Sequence, residues 1–181
     1  MTQRSPVVLI TGTSSGIGRA IASAFAAKGY EVFGTSRNPQ RNESIAGVEL
    51  LPLDVSDQAS VTSAVSTVIQ RAGRIDVLVN NAGVGIFGAA EESSIAQAQE
   101  LFDTNFFGLI RVTNEVLPHL RAQRSGRIIN ISSVLGFLPA PYGALYAASK
   151  HAVEGYSESL DHETREFGVR VSVVEPGYTD T

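Results

Sequence analysis

The sequence contains no cysteine. Disulfide scaffolds, thiolate nucleophiles and zinc ribbons are thereby excluded, and a reducing, intracellular setting is expected. Positive charge is not in excess either: 14 Lys and Arg stand against 18 Asp and Glu, a formal charge of −4. A basic nucleic-acid binder is therefore not the expectation. No apolar run approaches the roughly 18 to 20 residues of a membrane-spanning helix, because Gly, Pro or a charge interrupts each one. The stretch Val7 to Ile10 after Arg4 is too short for a secretory leader and runs straight into Thr11-Gly12, so a cytoplasmic protein is expected. Repeats, low-complexity tracts, charge blocks and interdomain linkers are also missing. The three histidines, His119, His151 and His162, have no metal-ligand spacing, and no metal is expected.

What remains is core-rich: 181 residues, 43% hydrophobic and 18% charged, enough for one domain around a sizeable core. Short β-branched runs alternate with longer stretches of helical period, which predicts an α/β fold with a parallel sheet and helices on both faces. The runs are Val7 to Thr11, Glu31 to Ser36, Val48 to Asp54, Val77 to Asn80, Arg127 to Ile131 and Val169 to Glu175. Their nearly continuous apolar character predicts strands buried on both faces. Helices are expected over about Gly16 to Lys28, Asp57 to Arg71, Ile95 to Gln123 with one break, and Leu145 to Phe167. Ser94 with Gln97 fits a capping box, Gly29, Gly73 and Gly168 punctuate helix ends, and Pro118 should bend its helix.

The first strand leads into Gly12-Thr13-Ser14-Ser15-Gly16-Ile17-Gly18 and then an Ala-rich helix. Strand, glycine turn and helix make a phosphate-binding arrangement, because glycine lets backbone approach a pyrophosphate and the free N–H groups of the helix start face it. The same residues satisfy G-x-S-x-G, the nucleophile elbow of a serine hydrolase, with Ser14 as nucleophile. That alternative leaves Gly18 and Arg37 unexplained and provides no earlier loop for an oxyanion hole. After the second strand come Ser36 and Arg37, with no acidic residue to hold both ribose hydroxyls. Arg37 offers donors suited to a 2′-phosphate, so NADP (NADPH) is favoured over NAD.

Several separated motifs then arrive in order. Thr11-Gly-x-x-x-Gly16-x-Gly18, Asn80-Asn81-Ala82-Gly83, Asn105, Ser133, Tyr146-Ala-Ala-Ser-Lys150 and Pro176-Gly177 with Thr179 and Thr181 span the whole chain. This ordered set resembles the short-chain dehydrogenase/reductase family. The resemblance implies a Rossmann-type doubly wound sheet in a three-layer αβα arrangement. It places Gly12, Ser14, Ser15, Gly16, Ile17 and Gly18 on the cofactor diphosphate, Asp54 and Val55 at the adenine, and Asn81, Ala82 and Gly83 along the adenosine side. Lys150 would hold the nicotinamide ribose, and Thr179 and Thr181, after Pro176 and Gly177, would lie near the carboxamide.

The residue types suit the chemistry. Tyr146 and Lys150, at i and i+4 on one helix, share a face, and a neighbouring ammonium favours the phenolate of a group that otherwise titrates near ~10. Tyr146 is then the general acid/base, and Ser133 the donor that polarises the substrate oxygen. Ser132 competes with Ser133, but the family's interval to Tyr146 falls on Ser133, and an extended chain turns Ser132 to the opposite side. For Asn105 the resemblance implies a bound water linking Lys150 to solvent.

The expected function is thus NADP-dependent interconversion of a secondary alcohol and a ketone, with a non-catalytic NADP(H)-binding sensor and the Ser14 hydrolase as rivals. The substrate pocket is expected between Val84 to Glu92 and Val134 to Tyr142, with Leu135, Phe137, Leu138, Pro139, Pro141 and Tyr142 as an apolar lining for a small-molecule alcohol or carbonyl compound. The resemblance also implies a homodimer or homotetramer. Relative to the family, the chain 1–181 is expected to lack the helices that close over the substrate and a final strand. Ser15 departs from the basic residue that NADP-preferring members often place there.

Overall fold

Each of the six apolar runs forms a strand, and the helical stretches between them carry the chain back across the sheet. The computed structural model describes residues 4–179. The strands are β1 (Val7–Ile10), β2 (Glu31–Ser36), β3 (Val48–Pro52), β4 (Val77–Asn80), β5 (Gly126–Ile131) and β6 (Val169–Val174). All neighbours pair in parallel, in the order β3-β2-β1-β4-β5-β6. The order reverses between β1 and β4, and such a switch point leaves a crevice at the carboxyl ends of the strands.

The helices are α1 (Gly16–Ala27), α2 (Gln58–Ala72), α3 (Ile95–Phe102), α4 (Gly108–Gln123) and α5 (Ala144–Thr164). One sheet face packs Leu9, Leu78 and Ile128 against Val61, Val65 and Val68 of α2, Val112 and Val116 of α4, and Leu160 of α5. The other packs Val8, Ile10 and Val79 against Ala22 of α1. This is a three-layer α/β/α arrangement. The four residues of β1 and of β4 are all buried, as continuous apolar runs predict. The outer strands differ: in β6 Val169 and Val171 are buried while Arg170 and Ser172 are exposed, and in β3 only Leu51 is buried. A strand at a sheet edge has fewer neighbours to cover it, so both are only partly buried, and β6 begins with alternation.

The expected break between Ile95 and Gln123 is a π-helical turn at Asp103–Phe107, which joins α3 to α4 without ending the helix. Ser94 and Gln97 form a reciprocal capping box: the Gln97 N–H donates to Ser94 Oγ (3.2 Å) and the Ser94 N–H to Gln97 Oε1 (2.9 Å). Pro118 lies inside α4, which continues to Gln123. Gly73 ends α2 in the left-handed region at φ +78°. Among the described residues, no helix is long and apolar enough to cross a membrane, and no cluster of metal-ligating side chains occurs.

Candidate active site

The turn after β1 works through backbone. Gly12 (φ +71°) and Gly16 (φ +54°) occupy the left-handed region, which a Cβ penalises. At Gly18 the constraint is contact: a Cβ would stand 2.1 Å from the Gly12 carbonyl oxygen and 2.3 Å from Asn81 Nδ2. That closeness exists because Asn81 Nδ2 donates to the Thr11 (2.9 Å) and Gly12 (2.8 Å) carbonyls, clasping the end of β4 to the turn. Thr11 Oγ1 returns the clasp by accepting the N–H groups of Asn81 and Ala82, both at 3.0 Å. Ser15 precedes α1 without a side-chain cap, so the first-turn N–H groups of α1 face the crevice for an anion to accept.

Beyond β3, the Ser56 hydroxyl (2.6 Å) and N–H (3.0 Å) both donate to Asp54 Oδ1 and hold that carboxyl below its ordinary range. Its second oxygen stays available. Arg37, exposed at the end of β2, borders the same space.

The wall opposite in sequence is built from β5 and α5. Lys150 is 6% exposed, and its Nζ donates to the Ile131 carbonyl (2.9 Å), 5.7 Å from the centre of the Tyr146 ring. Burial pushes the Lys150 ammonium down to about 8, with the negative charge of Glu154 acting in the opposite direction. The Phe87 ring lies 5.5 Å from that of Tyr146, centre to centre. Ser133 is extended, and its Oγ accepts the Leu135 N–H (3.2 Å), which leaves the hydroxyl proton to donate elsewhere. Ser132 Oγ is buried against Glu154 and Gly136.

One cleft of about 770 Å³ joins these parts. Gly12, Ser14 to Gly18, Ser36, Arg37, Asp54, Val55, Asn81 to Gly83, Ser133, Tyr146, Lys150, Pro176, Gly177 and Thr179 all border it. Thr181 lies outside the described residues. Asn105 stands behind the wall, 2% exposed in the π-helical turn. Its Oδ1 accepts the Val84 N–H (2.8 Å), and its Nδ2 donates to the Val84 carbonyl (2.9 Å) and to Ser149 Oγ (3.2 Å). The amide thus ties the loop after β4 to α5.

Sequence reasoning missed Thr104, Ser56 and Tyr178 on the cleft, and the Ile131 carbonyl. A carbonyl has no signature, since every residue carries one; Thr104 is signalled only by its adjacency to Asn105. Of the residues expected to line a substrate pocket, Leu135 borders the cleft, whereas Phe137, Leu138 and Tyr142 are exposed beside it. The Gly88 N–H donates to the Tyr142 carbonyl (2.8 Å), tying the two expected pocket loops together. Among the described residues no histidine borders the cleft, and His151 Nδ1 lies 2.9 Å from the Ala147 carbonyl of its own helix, so no described histidine stands beside Ser14 as a base.

A family model described as short chain dehydrogenase matches residues 6–181. The 3-ketodihydrosphingosine reductase of Bacteroides thetaiotaomicron is 46% identical over 175 residues, covering 97% of this chain and 64% of the relative. A short-chain dehydrogenase from Streptomyces avermitilis superposes with a TM-score of 0.95 at 40% identity, over 99% of this chain and 68% of that one. An alcohol dehydrogenase from the archaeon Thermococcus sibiricus, complexed with 5-hydroxy-NADP, gives 0.92 at 33% identity, over 98% and 78%. The chain spans 58–64% of the length of the curated relatives it matches.

Proposed function

The chain belongs to the short-chain dehydrogenase family, and on that premise we propose that it is an NADP-dependent oxidoreductase interconverting a secondary alcohol and a ketone. The observation that carries this reading is the single cleft bordered by a glycine turn, Arg37, Ser133, Tyr146 and Lys150. The Thermococcus sibiricus relative, complexed with an NADP derivative, supports the choice of cofactor.

The residues present fit a dinucleotide. The missing Cβ of Gly18 and the uncapped N–H groups of α1 leave room and donors for a diphosphate at the turn of Gly12 to Gly18. Arg37 and Ser36 would hold the 2′-phosphate, Asp54 and Val55 the adenine, and Asn81, Ala82 and Gly83 the adenosine side. Lys150 would take the nicotinamide ribose, with Pro176, Gly177 and Thr179 about the carboxamide. When bound, NADPH supplies the hydride. Ser133 donates to the substrate oxygen, and Tyr146 gives that oxygen its proton or removes it in the oxidative direction. Lys150, charged at neutral pH, favours the phenolate that remains. Asn105 fixes Val84 and Ser149, and would hold a water that links Lys150 to solvent.

The substrate is read as an apolar alcohol or carbonyl compound, supported by Val84, Phe87 and Leu135 on the cleft. A homodimer or homotetramer packed through the helices bearing Asn105 and Tyr146 completes the reading. The apolar surface of Ile95, Phe102 and Phe107 beside Asn105 supports it.

Fluorescence titration with NADPH and NADH, followed by reduction of a ketone panel, tests the function. NADPH is expected to bind more tightly, and Arg37→Asp to move the NADPH/NADH preference by about ten- to a hundredfold toward NADH, the worth of a charged hydrogen bond. An unchanged ratio removes Arg37 from the site. Tight binding without reduction of any ketone makes the protein a sensor.

A further inference from the structure

Tyr146, Lys150 and Glu154 follow one another at intervals of four on α5, so all three lie along one helix face. Glu154 was not among the residues the motifs singled out, yet its carboxyl packs beneath the 3₁₀ turn Val134–Gly136 that Ser133 caps. The fit is close. A Cβ on Gly136 would stand 2.6 Å from Glu154 Oε1, 2.7 Å from Ser132 Oγ and 3.0 Å from Glu154 Cγ. Both oxygens are buried beneath the turn, and apart from each other neither has a hydrogen-bond partner among the described residues. Ser132 as a whole is 3% exposed. Two buried polar oxygens left with only each other beneath this loop are costly to stability and call for a reason outside packing.

The charges around them supply one. Burial raises the Glu154 carboxyl above its ordinary range, as do the like charges of Glu175, beyond β6, and Glu158, on α5. The Ser132 hydroxyl and His151 act in the other direction. The cation that gains from a charged Glu154 is Lys150, itself destabilised by burial between α5 and the Ile131 carbonyl and facing the Tyr146 ring.

We propose that Glu154 is a positioning residue of this site: its carboxylate, lodged under the Ser133 turn, holds the buried Lys150 in its charged form and seats that turn on the helix carrying Tyr146. Ser132, turned away from Ser133, packs its hydroxyl beside that carboxylate under the same turn. The consequence for turnover rests on the oxidoreductase reading; the charge coupling itself does not.

The test is competitive acetylation of Lys150 by acetic anhydride across pH, in the whole chain without cofactor, quantified by peptide mass spectrometry. Beside it runs the pH profile of NADPH-dependent ketone reduction. In Glu154→Gln, which keeps shape and loses charge, the Lys150 midpoint should fall by about half a unit to one unit. Glu154→Asp should retain most of the parent value. An unmoved midpoint in Glu154→Gln overturns the proposal, and so does an equal shift in both variants, which would signify packing alone. Should Glu154→Gln fail to fold, Glu154→Ala decides: a downward shift of similar size supports the proposal and none refutes it. A shifted midpoint with an unmoved activity profile leaves the coupling standing and overturns the role given to Lys150 in the reaction.

Discussion

The β1–α1 corner and the β5–α5 wall border the same cleft but are built from different material. The corner presents backbone: two glycines at positive φ, a third with no room for a Cβ, and the open N–H groups of a helix start. The wall presents side chains whose charge states depend on burial, Lys150 above all. A backbone site is fixed by sterics, and its hydrogen-bond donors do not titrate. A side-chain site responds to every group packed against it. Binding and chemistry should accordingly separate under mutation.

The sharpest separation is expected from Tyr146→Phe. With Tyr146 as the proposed general acid, its loss should lower kcat by about 10²- to 10⁴-fold while NADPH affinity stays within about twofold, since the corner is untouched. Steady-state rates and a binding titration on the same sample check it, and unchanged turnover would refute the acid/base assignment.

A stability effect follows for the wall from Lys150. Its folded value of about 8 lies below the ordinary 10.5, so between these limits the unfolded chain holds a proton that the folded one has released. Stability contributed by this group therefore rises with pH across that window, by roughly 3 kcal/mol at most. Tyr156, raised to about 12 by burial, acts oppositely above pH 10, so the comparison must be made against a variant. Urea unfolding of the parent and of Lys150→Met at pH 7.5 and pH 10 isolates the term: the variant should lose the rise. Equal pH dependence in the two proteins would show that Lys150 titrates normally.

For the corner, Gly18→Ala should cost about 1–3 kcal/mol, because the new methyl meets the Gly12 carbonyl and the Asn81 amide. NADPH binding should weaken by more than tenfold, whereas the Lys150 acetylation midpoint should not move. A shift of that midpoint would mean that corner and wall are coupled and the contrast between them is false.

The corner was almost fully legible in the sequence because its parts are contiguous: a β-branched run, spaced glycines and an Ala-rich helix specify their own backbone. The Tyr146 to Lys150 interval was equally legible, since helix periodicity alone puts them on one face. Asn81 could be flagged by its motif, but not its grip on the Thr11 and Gly12 carbonyls, which requires β4 to lie beside β1. The π-helical turn at Asn105 looked like a helix break, because a one-residue insertion and an interruption perturb the apolar period alike. The outer strands β3 and β6 looked like inner ones, because a run rich in Val or Leu does not say how many neighbours the strand will have.

The amino-acid order by itself determined the alternation of strand and helix, the glycine turn and the shared face of Tyr146 and Lys150. Each follows from interactions among residues close along the chain. Only the tertiary structure decided that Lys150 is buried under the Ile131 carbonyl, that Asn105 serves Val84 and Ser149, and that Glu154 lies beneath the Ser133 turn. Desolvation and charge proximity depend on which distant segments are stacked together, and local pattern carries no record of that.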